Sequence, residues 1–409
     1  MGAGTLIELV ARGKQDVYLI GNPNYSFFKT VYHRHTNFSI EPIRNIFNET
    51  PDFGKRTTCI LDKKGDLLNS LILEIELPQL SEEHYSWCNG IGNFMIDYVE
   101  LQLGGQPIDR ISGQLLDVWN EVTVDIGIKD AYYAMIGKYA TFNDNRATNK
   151  QLLFVPIPFW FCRKISQSLP LIAMQYTDVS IIVQFKPFEY CIYTEQTSIT
   201  IPETKHITSV NLYADYIFLD TYERQKFASR PQFDMLIEQF QEFGGIYKIN
   251  TINNISAPFY FNHPVKELIW IYQSDYAQSN NAHNDYTSGV GYSEPLEKSE
   301  PFYSIQLKFN GNDRFDERRA PYFRLVQPYQ RHSYGTREFI YIWSFAVNPE
   351  DIQPSGTCNF SKIDDSKFIF KFQDVNLPED ITYTGSISLF ATNYNILKIE
   401  SGMAGVLFS

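Results

Sequence analysis

The chain lacks the long apolar runs that would place it in or across a membrane. No run reaches the roughly 18 apolar residues that a membrane-spanning helix needs. The N-terminal stretch MGAGTLIELVARGKQ also lacks the basic segment and continuous apolar segment of a secretory signal. We therefore expect a soluble chain that is not secreted and has no membrane span.

Cysteine is scarce and shows no metal-binding or disulfide spacing. The five cysteines are Cys59, Cys88, Cys162, Cys191 and Cys358. Their number is odd, and no CxxC pair occurs among them, so neither a disulfide framework nor a zinc knuckle is indicated. We expect reduced thiols.

Positive charge is in short supply. The 35 Lys and Arg against 47 Asp and Glu give a formal net charge of −12. Such a chain repels phosphate backbones, and no Lys/Arg stripe interleaved with aromatic residues offsets that repulsion. We expect no direct contact with nucleic acid.

Catalytic signatures are also missing. There is no GxSxG motif, the glycines of GQPIDRISG do not have the spacing of a nucleotide loop, and the histidines suggest no triad. His33 and His35 would share one face of a strand, as in the cupin metal pattern, but five residues separate His35 from Glu41, which is more than that pattern allows. We favour a structural role for them and predict no catalytic residue, no cofactor-binding residue and no metal ligand.

The carboxylates Glu74 and Glu76 lie in LILEIEL and could suggest a glycosidase pair. Their alternation with Leu and Ile favours the solvent face of a half-buried strand. Sequons occur at five candidate glycosylation sites, Asn24, Asn37, Asn48, Asn254 and Asn359. Without a secretory signal we expect these sequons to arise by chance.

What the chain does have is aromatic residues, 27 Tyr and 31 Phe in 409 residues. Aromatic side chains favour the pleated surface of β-sheets, and this length suits two domains of about 200 residues each. The composition therefore predicts an all-β protein with two cores.

Four motifs recur in the same order in the two halves. The pairs are VELQLGGQPIDR with IQLKFNGNDRF, LILEIEL with ELIWIYQ, MQYTDVSIIVQF with SKIDDSKFIFKF, and VNLYADYIFL with ISLFATNYNI. The first pair aligns Gly105 with Gly311. Strands that keep their order while the loops change length indicate a duplicated β-domain.

Helical patterns are few and short. In DTYERQKFASRP, Asp220 and Glu223 form a capping box and Pro231 ends the segment, which predicts a helical linker. A helical excursion follows the glycine turn of each half, at Leu115, Leu116, Val118, Trp119 and Val122 in the first and at Tyr322, Phe323, Leu325 and Val326 in the second. We predict an N-terminal arm at 1–23, domains at 24–219 and 246–409, and a linker at 220–245.

Residues 274–300 are rich in Asn, Ser, Gly and Tyr and hold almost no aliphatic side chains. Such a composition cannot form a core, so we expect a long surface loop that points to solvent.

Several longer stretches resemble one known family from end to end of the chain. They include NPNYSFFKTVYHRHTNF, FVPIPFWFCRKISQSLPLIAMQY, FNHPVKELIW, PSGTCNFSKID and NYNILKIESGMAGVLFS. These stretches are similar to the major capsid proteins of nucleocytoplasmic large DNA viruses.

The resemblance implies a double jelly roll, two eight-stranded sandwiches in one chain, with three copies forming a homotrimeric capsomer of pseudo-hexagonal outline. It further implies contacts with neighbouring capsomers, docking of the N-terminal arm onto minor capsid proteins, synthesis in the host cytoplasm and a place in the outer icosahedral shell of the virion. In this interpretation PSGTCNFSKID is a structural corner, with Gly356 free to adopt positive φ and Cys358 small enough to pack. The alternatives are a less abundant capsid paralogue and a β-sandwich protein that binds or hydrolyses carbohydrate.

Overall fold

The computed structural model describes residues 3–16, 28, 36–80, 85–141, 145–194, 204–230, 232–249, 254–288, 299–335, 338–372 and 383–408. The chain divides into two compact units, Met1–Asn37 and Phe38–Ser409. In the first unit the described element is the helix Ala3–Val10. The paragraphs below concern the second unit.

Among the described residues, ten strands occupy the first half of this unit. They are β1 Phe38–Asn45, β2 Arg56–Leu61, β3 Leu67–Leu77, β4 Ser86–Trp87, β5 Ile96–Leu103, β6 Gln106–Ser112, β7 Gln151–Pro156, β8 Val179–Phe185, β9 Ile192–Tyr193 and β10 Ser209–Leu219. Two antiparallel sheets have the orders β1-β10-β3-β7 and β2-β8-β5-β6, and β4 pairs with β9.

Ten further strands occupy the second half, again counted over the ranges that the structure describes. They are β11 Gln232–Ile249, β12 Asn254–Phe259, β13 Pro264–Ser274, β14 Phe302–Phe309, β15 Asn312–Arg319, β16 Tyr341–Ser344, β17 Cys358–Asn359, β18 Ser366–Phe372, β19 Tyr383–Glu400 and β20 Met403–Val406. The sheets have the orders β11-β19-β13-β16 and β12-β18-β14-β15, while β17 and β20 pair at the ends of β13 and β19.

The two halves share one topology. Once the short strands β4, β9, β17 and β20 are set aside, the eight strands of each half occur in the same chain order and the same sheet positions. The repeated glycine motifs form equivalent hairpin turns, at Gly104-Gly105 and at Asn310-Gly311, and all four turn residues have positive φ. The double jelly roll expected from the sequence is confirmed.

Short helices connect the strands. The α-helices are Ile91–Phe94, Gly113–Thr123, Ile126–Ile136, Trp160–Arg163, Thr221–Ala228, Asp275–Ser279 and Gln327–Arg331, with a π-helix at Tyr322–Val326. The 3₁₀ turns are Asn145–Thr148, Ile165–Gln167, Leu171–Ala173, Phe188–Cys191 and Phe360–Lys362. The predicted helical excursion after each glycine hairpin is confirmed.

The connection between the rolls is the helix Thr221–Ala228. Asp220 caps it as predicted, because its Oδ1 accepts a hydrogen bond of 2.9 Å from the Glu223 backbone N–H. Strand β11 then begins at Gln232 and pairs with β19 along its whole length, so residues 232–245 of the predicted linker belong to a sheet. Pro231 lies outside the described residues.

Aromatic side chains fill the second core. Phe302 stacks on Phe370 with ring centroids 4.7 Å apart, and Trp270 contacts Phe368 at 4.8 Å. Offset and tilted ring pairs of this kind stabilise a core beyond their buried area. The aromatic residues that are so frequent in the sequence therefore pack between the sheets of the second roll.

The corner PSGTCNFSKID is a structural turn, as predicted. Gly356 has φ 145°, and a Cβ at this position would lie 2.6 Å from the carbonyl oxygen of Phe345. Asn359 Oδ1 accepts a hydrogen bond of 3.1 Å from the Ser361 N–H, which starts a 3₁₀ turn. Only glycine fits the crowded position without strain.

The expectation of a solvent-facing loop at 274–300 holds within the helix Asp275–Ser279, where Tyr276 is exposed, and is wrong for most of the other residues that the structure describes there. Tyr286 and Thr287 are fully buried, and Glu300 is buried as well. Asn281 Nδ2 donates hydrogen bonds to the carbonyl oxygens of Glu189 and Ile192 in the first roll. Polar composition misled the prediction, because these polar groups are paired inside the protein. Residues 289–298 lie outside the described residues.

Candidate functional site

The paired carboxylates of LILEIEL are structural, as the strand pattern predicts. Glu74 accepts a hydrogen bond of 2.8 Å from Asn211 Nδ2, and Glu76 accepts one of 3.1 Å from the Ser209 hydroxyl. A hydrogen bond and ion pair with Lys150 lowers the pKa of Glu76, which keeps this carboxylate charged. The pair ties β3 to its neighbouring strand and offers no general acid.

The other predicted positions are scattered over the structure. Glu41 is exposed on β1, while His33 and His35 lie outside the described residues. Within the described ranges, no three His, Cys, Asp or Glu side chains come close enough together to hold a metal ion. All five cysteines are free thiols.

The structure does not bring the sequons together. Asn37, Asn48, Asn254 and Asn359 are exposed, and Asn24 lies outside the described residues. Asn359 uses its side-chain oxygen to cap the turn described above. Glycosylation at these positions stays a prediction.

The main site assembled by the fold is the junction between the two rolls. Strand β6 and the helix Gly113–Thr123 of the first roll contact β11 of the second. The Phe240 ring meets Trp119 edge to face, with centroids 5.0 Å apart, and the Phe240 N–H donates a hydrogen bond of 3.0 Å to Asp109 Oδ1. The Ser112 N–H donates one of 2.8 Å to Glu242 Oε1. The ring contact of Phe240 with Trp119 and the two hydrogen bonds donated by backbone N–H groups therefore hold the rolls together.

A buried carboxyl group lies at the centre of this junction. Burial raises the pKa of Asp109 to about 7, although hydrogen bonds from the backbone N–H groups of Phe240 and Arg110 oppose the shift. Its second oxygen, Oδ2, has no hydrogen-bond partner within the part of the chain that the structure describes. The junction therefore contains a group that changes charge near neutral pH.

Arg163 extends the junction with buried charge. Its guanidinium lies 4.6 Å from the ring centroids of both Trp119 and Phe240 and pairs with the carboxylate of Glu238. Lys266 Nζ lies 2.7 Å from the same carboxylate. A cation held against two rings in a half-buried contact adds to the attraction between the rolls.

A second buried cluster surrounds Lys138. Its Nζ lies 3.4 Å from Asp117 Oδ1 and 2.8 Å from Glu121 Oε1, and all three side chains are buried. Tyr286 of the second roll donates a hydrogen bond of 2.9 Å to Asp117 Oδ2. Burial raises the pKa of Asp117, whereas the nearby Lys138 opposes that shift. The cluster fastens the buried segment before residue 289 to the first roll.

A third cluster lies inside the second roll. His332 lies between Glu267, 3.0 Å from Nε2, and Glu350, 3.1 Å from Nδ1. The Glu267 contact falls outside good hydrogen-bond geometry, so its attraction is electrostatic. Burial alone would lower the pKa of His332, but the two carboxylates outweigh it and raise the pKa to about 9. This histidine is therefore charged at neutral pH.

Sequence patterns gave no direct sign of these clusters. Asp117 and Glu121 are one helical turn apart on a helix whose other residues are mostly apolar, and Lys266 and Glu267 interrupt an apolar strand. Charged residues inside apolar elements were the available signal, but their partners are distant in sequence. Chemically, the charged groups of these clusters are paired with opposite charges, so each cluster joins packed elements of the fold.

Comparison with known proteins agrees with this structural role. Residues 26–220 match the family model "Major capsid protein N-terminus", and residues 223–405 match "Large eukaryotic DNA virus major capsid protein". The chain belongs to this capsid protein family.

Related capsid proteins match this chain along its whole length. A major capsid protein of Pyramimonas orientalis virus is 37% identical, and one of Phaeocystis pouchetii virus is 32% identical; in both cases 100% of each chain is covered. The solved structure of PBCV-1 VP54, fitted into a reconstruction of the virophage Sputnik, has a TM-score of 0.80 at 27% identity, covering 94% of this chain and 100% of that one.

As a member of this family, the protein is a structural subunit of a viral capsid. It lies in the capsid shell of the virion. No helix among the described residues is long and apolar enough to cross a bilayer.

Proposed function

We propose that this capsid protein acts as a homotrimer, a capsomer of pseudo-hexagonal outline that builds an icosahedral shell with its neighbours. The observation that carries the proposal is the duplication: two rolls of one topology are joined by a tight, buried junction. Three such chains provide six similar rolls, which is the number that a six-sided building block needs. Head-to-tail contacts give a closed ring when the last copy contacts the first.

We propose a structural role without catalysis. The most enzyme-like group of the sequence, Glu74 and Glu76, is held in hydrogen bonds and an ion pair on a sheet surface. The buried charges of the Lys138 cluster, and those of Glu238 and Lys266, are likewise paired with one another. This supports assembly over carbohydrate hydrolysis.

The domain division follows from the same observations. We propose a first roll at 24–219 and a second roll that starts at Gln232 rather than at residue 246, with the helix Thr221–Ala228 as the connection. The full-length pairing of β11 with β19 supports this amended boundary. Limited proteolysis should cut between residues 220 and 231 before it cuts within either roll.

The arm at 1–23 is proposed to bind minor capsid proteins beneath the shell. Its helix Ala3–Val10 carries Leu6, Ile7, Leu9 and Val10, an apolar stripe too short to be stable alone. Near-balanced charges in the arm suit a protein partner better than an anionic membrane surface. Deleting residues 1–22 should leave the trimer and its melting temperature nearly unchanged but prevent incorporation into particles. A deletion that unfolds or dissociates the trimer would instead give the arm a role in folding.

Light scattering of the purified chain tests the proposed trimer. The expected mass is three times 47.5 kDa. A folded chain that stays at 47.5 kDa at micromolar concentration would contradict the proposal.

A further inference from the structure

The carboxyl group of Asp109 lies between the two rolls with its two oxygens in unequal surroundings. Oδ1 accepts hydrogen bonds of 3.0 Å from the backbone N–H groups of Phe240 and Arg110. Oδ2 is buried, and no described residue makes a hydrogen bond with it. A buried oxygen that meets neither water nor a donor disfavours the ionised carboxylate and favours the neutral acid. This contact between the rolls therefore has a preferred protonation state.

The duplication shows that the jelly roll itself does not need an acid at this position. Leu101 is the hairpin partner of Asp109 on β6. Leu307, its counterpart when the glycine turns of the two halves are aligned, is the hairpin partner of Phe315 on β15. Phe315 is buried, and its ring centroid lies 4.6 Å from that of Trp343. An aromatic side chain fills the position in the second roll, whereas the copy that meets the other roll carries a carboxyl group.

Charged and titratable groups face Asp109 from several elements. Those that act on its charge or line the same cavity are Glu100 on β5, Arg110 on β6, Arg163 in the helix Trp160–Arg163, Glu242 on β11 and His263 directly before β13. The guanidinium of Arg110 lies 3.5 Å from the ring centroid of Tyr98, on the neighbouring strand. Burial lowers the pKa of His263, so this side chain is neutral near pH 7.

Two of these groups act on the charge of Asp109 in opposite directions. Arg163 favours the ionised form, whereas Glu242 repels it. Arg163 is shared with Glu238, whose other carboxylate oxygen lies 2.7 Å from Lys266 Nζ. Burial is the largest effect, and it raises the pKa of Asp109 to about 7 and also raises that of Glu242. The neutral acid is therefore the form that suits the closed junction.

We propose that Asp109 makes the junction between the two rolls of each chain pH-sensitive: the neutral carboxyl group holds the junction closed, and its ionisation loosens the contact with β11. The inference goes beyond the proposed trimer. It concerns two rolls of one chain and holds for a monomer and for a trimer alike.

The sign of the effect follows from proton linkage. An exposed aspartate has a pKa of about 3.9, so the opened junction releases a proton that the closed junction holds between about pH 4 and pH 7. The stability that Asp109 gives to the junction is fully present at the acid end of this interval, falls as the pH rises, and levels off above about pH 7. The equilibrium constant for opening should rise about tenfold for each pH unit, or roughly a thousandfold over the interval.

Hydrogen–deuterium exchange measures this opening directly. The backbone N–H of Phe240 is the reporter, because it is bonded to Asp109 Oδ1. Its exchange is followed by mass spectrometry from about pH 5 to about pH 8 and corrected for the pH dependence of exchange in an unstructured chain. We expect the corrected opening constant to rise about tenfold for each pH unit up to about pH 7 and then to stay level.

Asp109→Asn assigns the pH dependence to this carboxyl group. The amide keeps an oxygen that accepts from the two backbone N–H groups but cannot ionise, so the opening constant should stay flat and should be lower than that of the wild type at pH 8. If this variant does not fold, Asp109→Ser, which is also neutral and has an acceptor, takes its place. The matched control is Asp97→Asn, which removes an exposed carboxyl group from the neighbouring strand β5 and should keep the wild-type slope.

Either of two results would overturn the proposal. The first is a wild-type opening constant that stays flat or falls as the pH rises. The second is a slope that persists unchanged in the neutral variant of Asp109, because it would then belong to another group. Neither result bears on the mass measured by light scattering, so the proposed trimer is tested separately.

Discussion

Replacing Lys138 with Met tests whether buried charge fastens the second roll to the first. The substitution keeps most of the side-chain volume but removes the ammonium group that lies 2.8 Å from Glu121 and 3.4 Å from Asp117. Glu121 retains Lys129 as an ion-pair partner, 2.6 Å away, whereas among the described residues Asp117 keeps the hydroxyl of Tyr286 as its hydrogen-bond donor. The variant therefore contains a buried carboxyl group with no cation beside it.

The magnitude follows from the burial of these side chains. Removing one partner of a buried ion pair costs about 3–5 kcal/mol, because the remaining charge stays desolvated. If each roll unfolds as a unit of about 200 residues, 1 kcal/mol lowers the melting temperature by about 2–4 °C. We expect the variant to melt about 6–20 °C below the wild type. The deficit should shrink at lower pH, because the raised pKa of Asp117 lets that group become neutral first.

Differential scanning calorimetry at several pH values measures both effects. The matched control is Lys150→Met, which removes an exposed partner of Glu76 and should leave the melting temperature within error. Melting of Lys138→Met within about 2 °C of the wild type, with no pH dependence, would refute the account of the cluster.

Three further predictions use the same calorimetric assay. His332 is stabilising while charged, and because its folded pKa is raised to about 9, that stability is fully present below about pH 6.5 and is lost as the pH rises through 9. His332→Gln should remove a decline on the order of 3 kcal/mol over this interval; an unchanged profile would assign the decline to other groups. Gly356→Ala should cost about 1–3 kcal/mol through strain at φ 145° and collision with a carbonyl oxygen, whereas Gly335→Ala, in open space, should be silent; equal effects would count against the corner argument. Phe240→Ala should cost about 3–5 kcal/mol and split the transition into two, one for each roll; a single cooperative transition would show that other contacts couple the rolls.

The sequence could predict the fold because its signals are local. Alternation in LILEIEL, the glycine turns at Gly105 and Gly311, and the capping box at Asp220 each depend on residues within a few positions of one another. Duplication added the long-range information, since two halves with the same motif order must share a topology. The patterns therefore predicted a duplicated β-domain with a helical excursion in each half, and the resemblance to the capsid family supplied the double jelly roll.

The buried clusters could not be predicted because their partners are distant in sequence. Tyr286 reaches Asp117 across 169 positions, and Arg163 reaches Glu238 across 75. The error at 274–300 has the same cause. Polar composition tells how many hydrogen bonds a segment needs but not whether protein or water supplies them. A single sequence without its fold does not contain that answer.

Cryo-electron microscopy of the purified assembly tests the central claim most directly. Class averages viewed along the symmetry axis should show a closed ring of six lobes with three-fold symmetry, two lobes for each chain. Isolated two-lobed particles, or rings with a different number of lobes, would contradict the proposal that this capsid subunit assembles as a trimer of duplicated rolls.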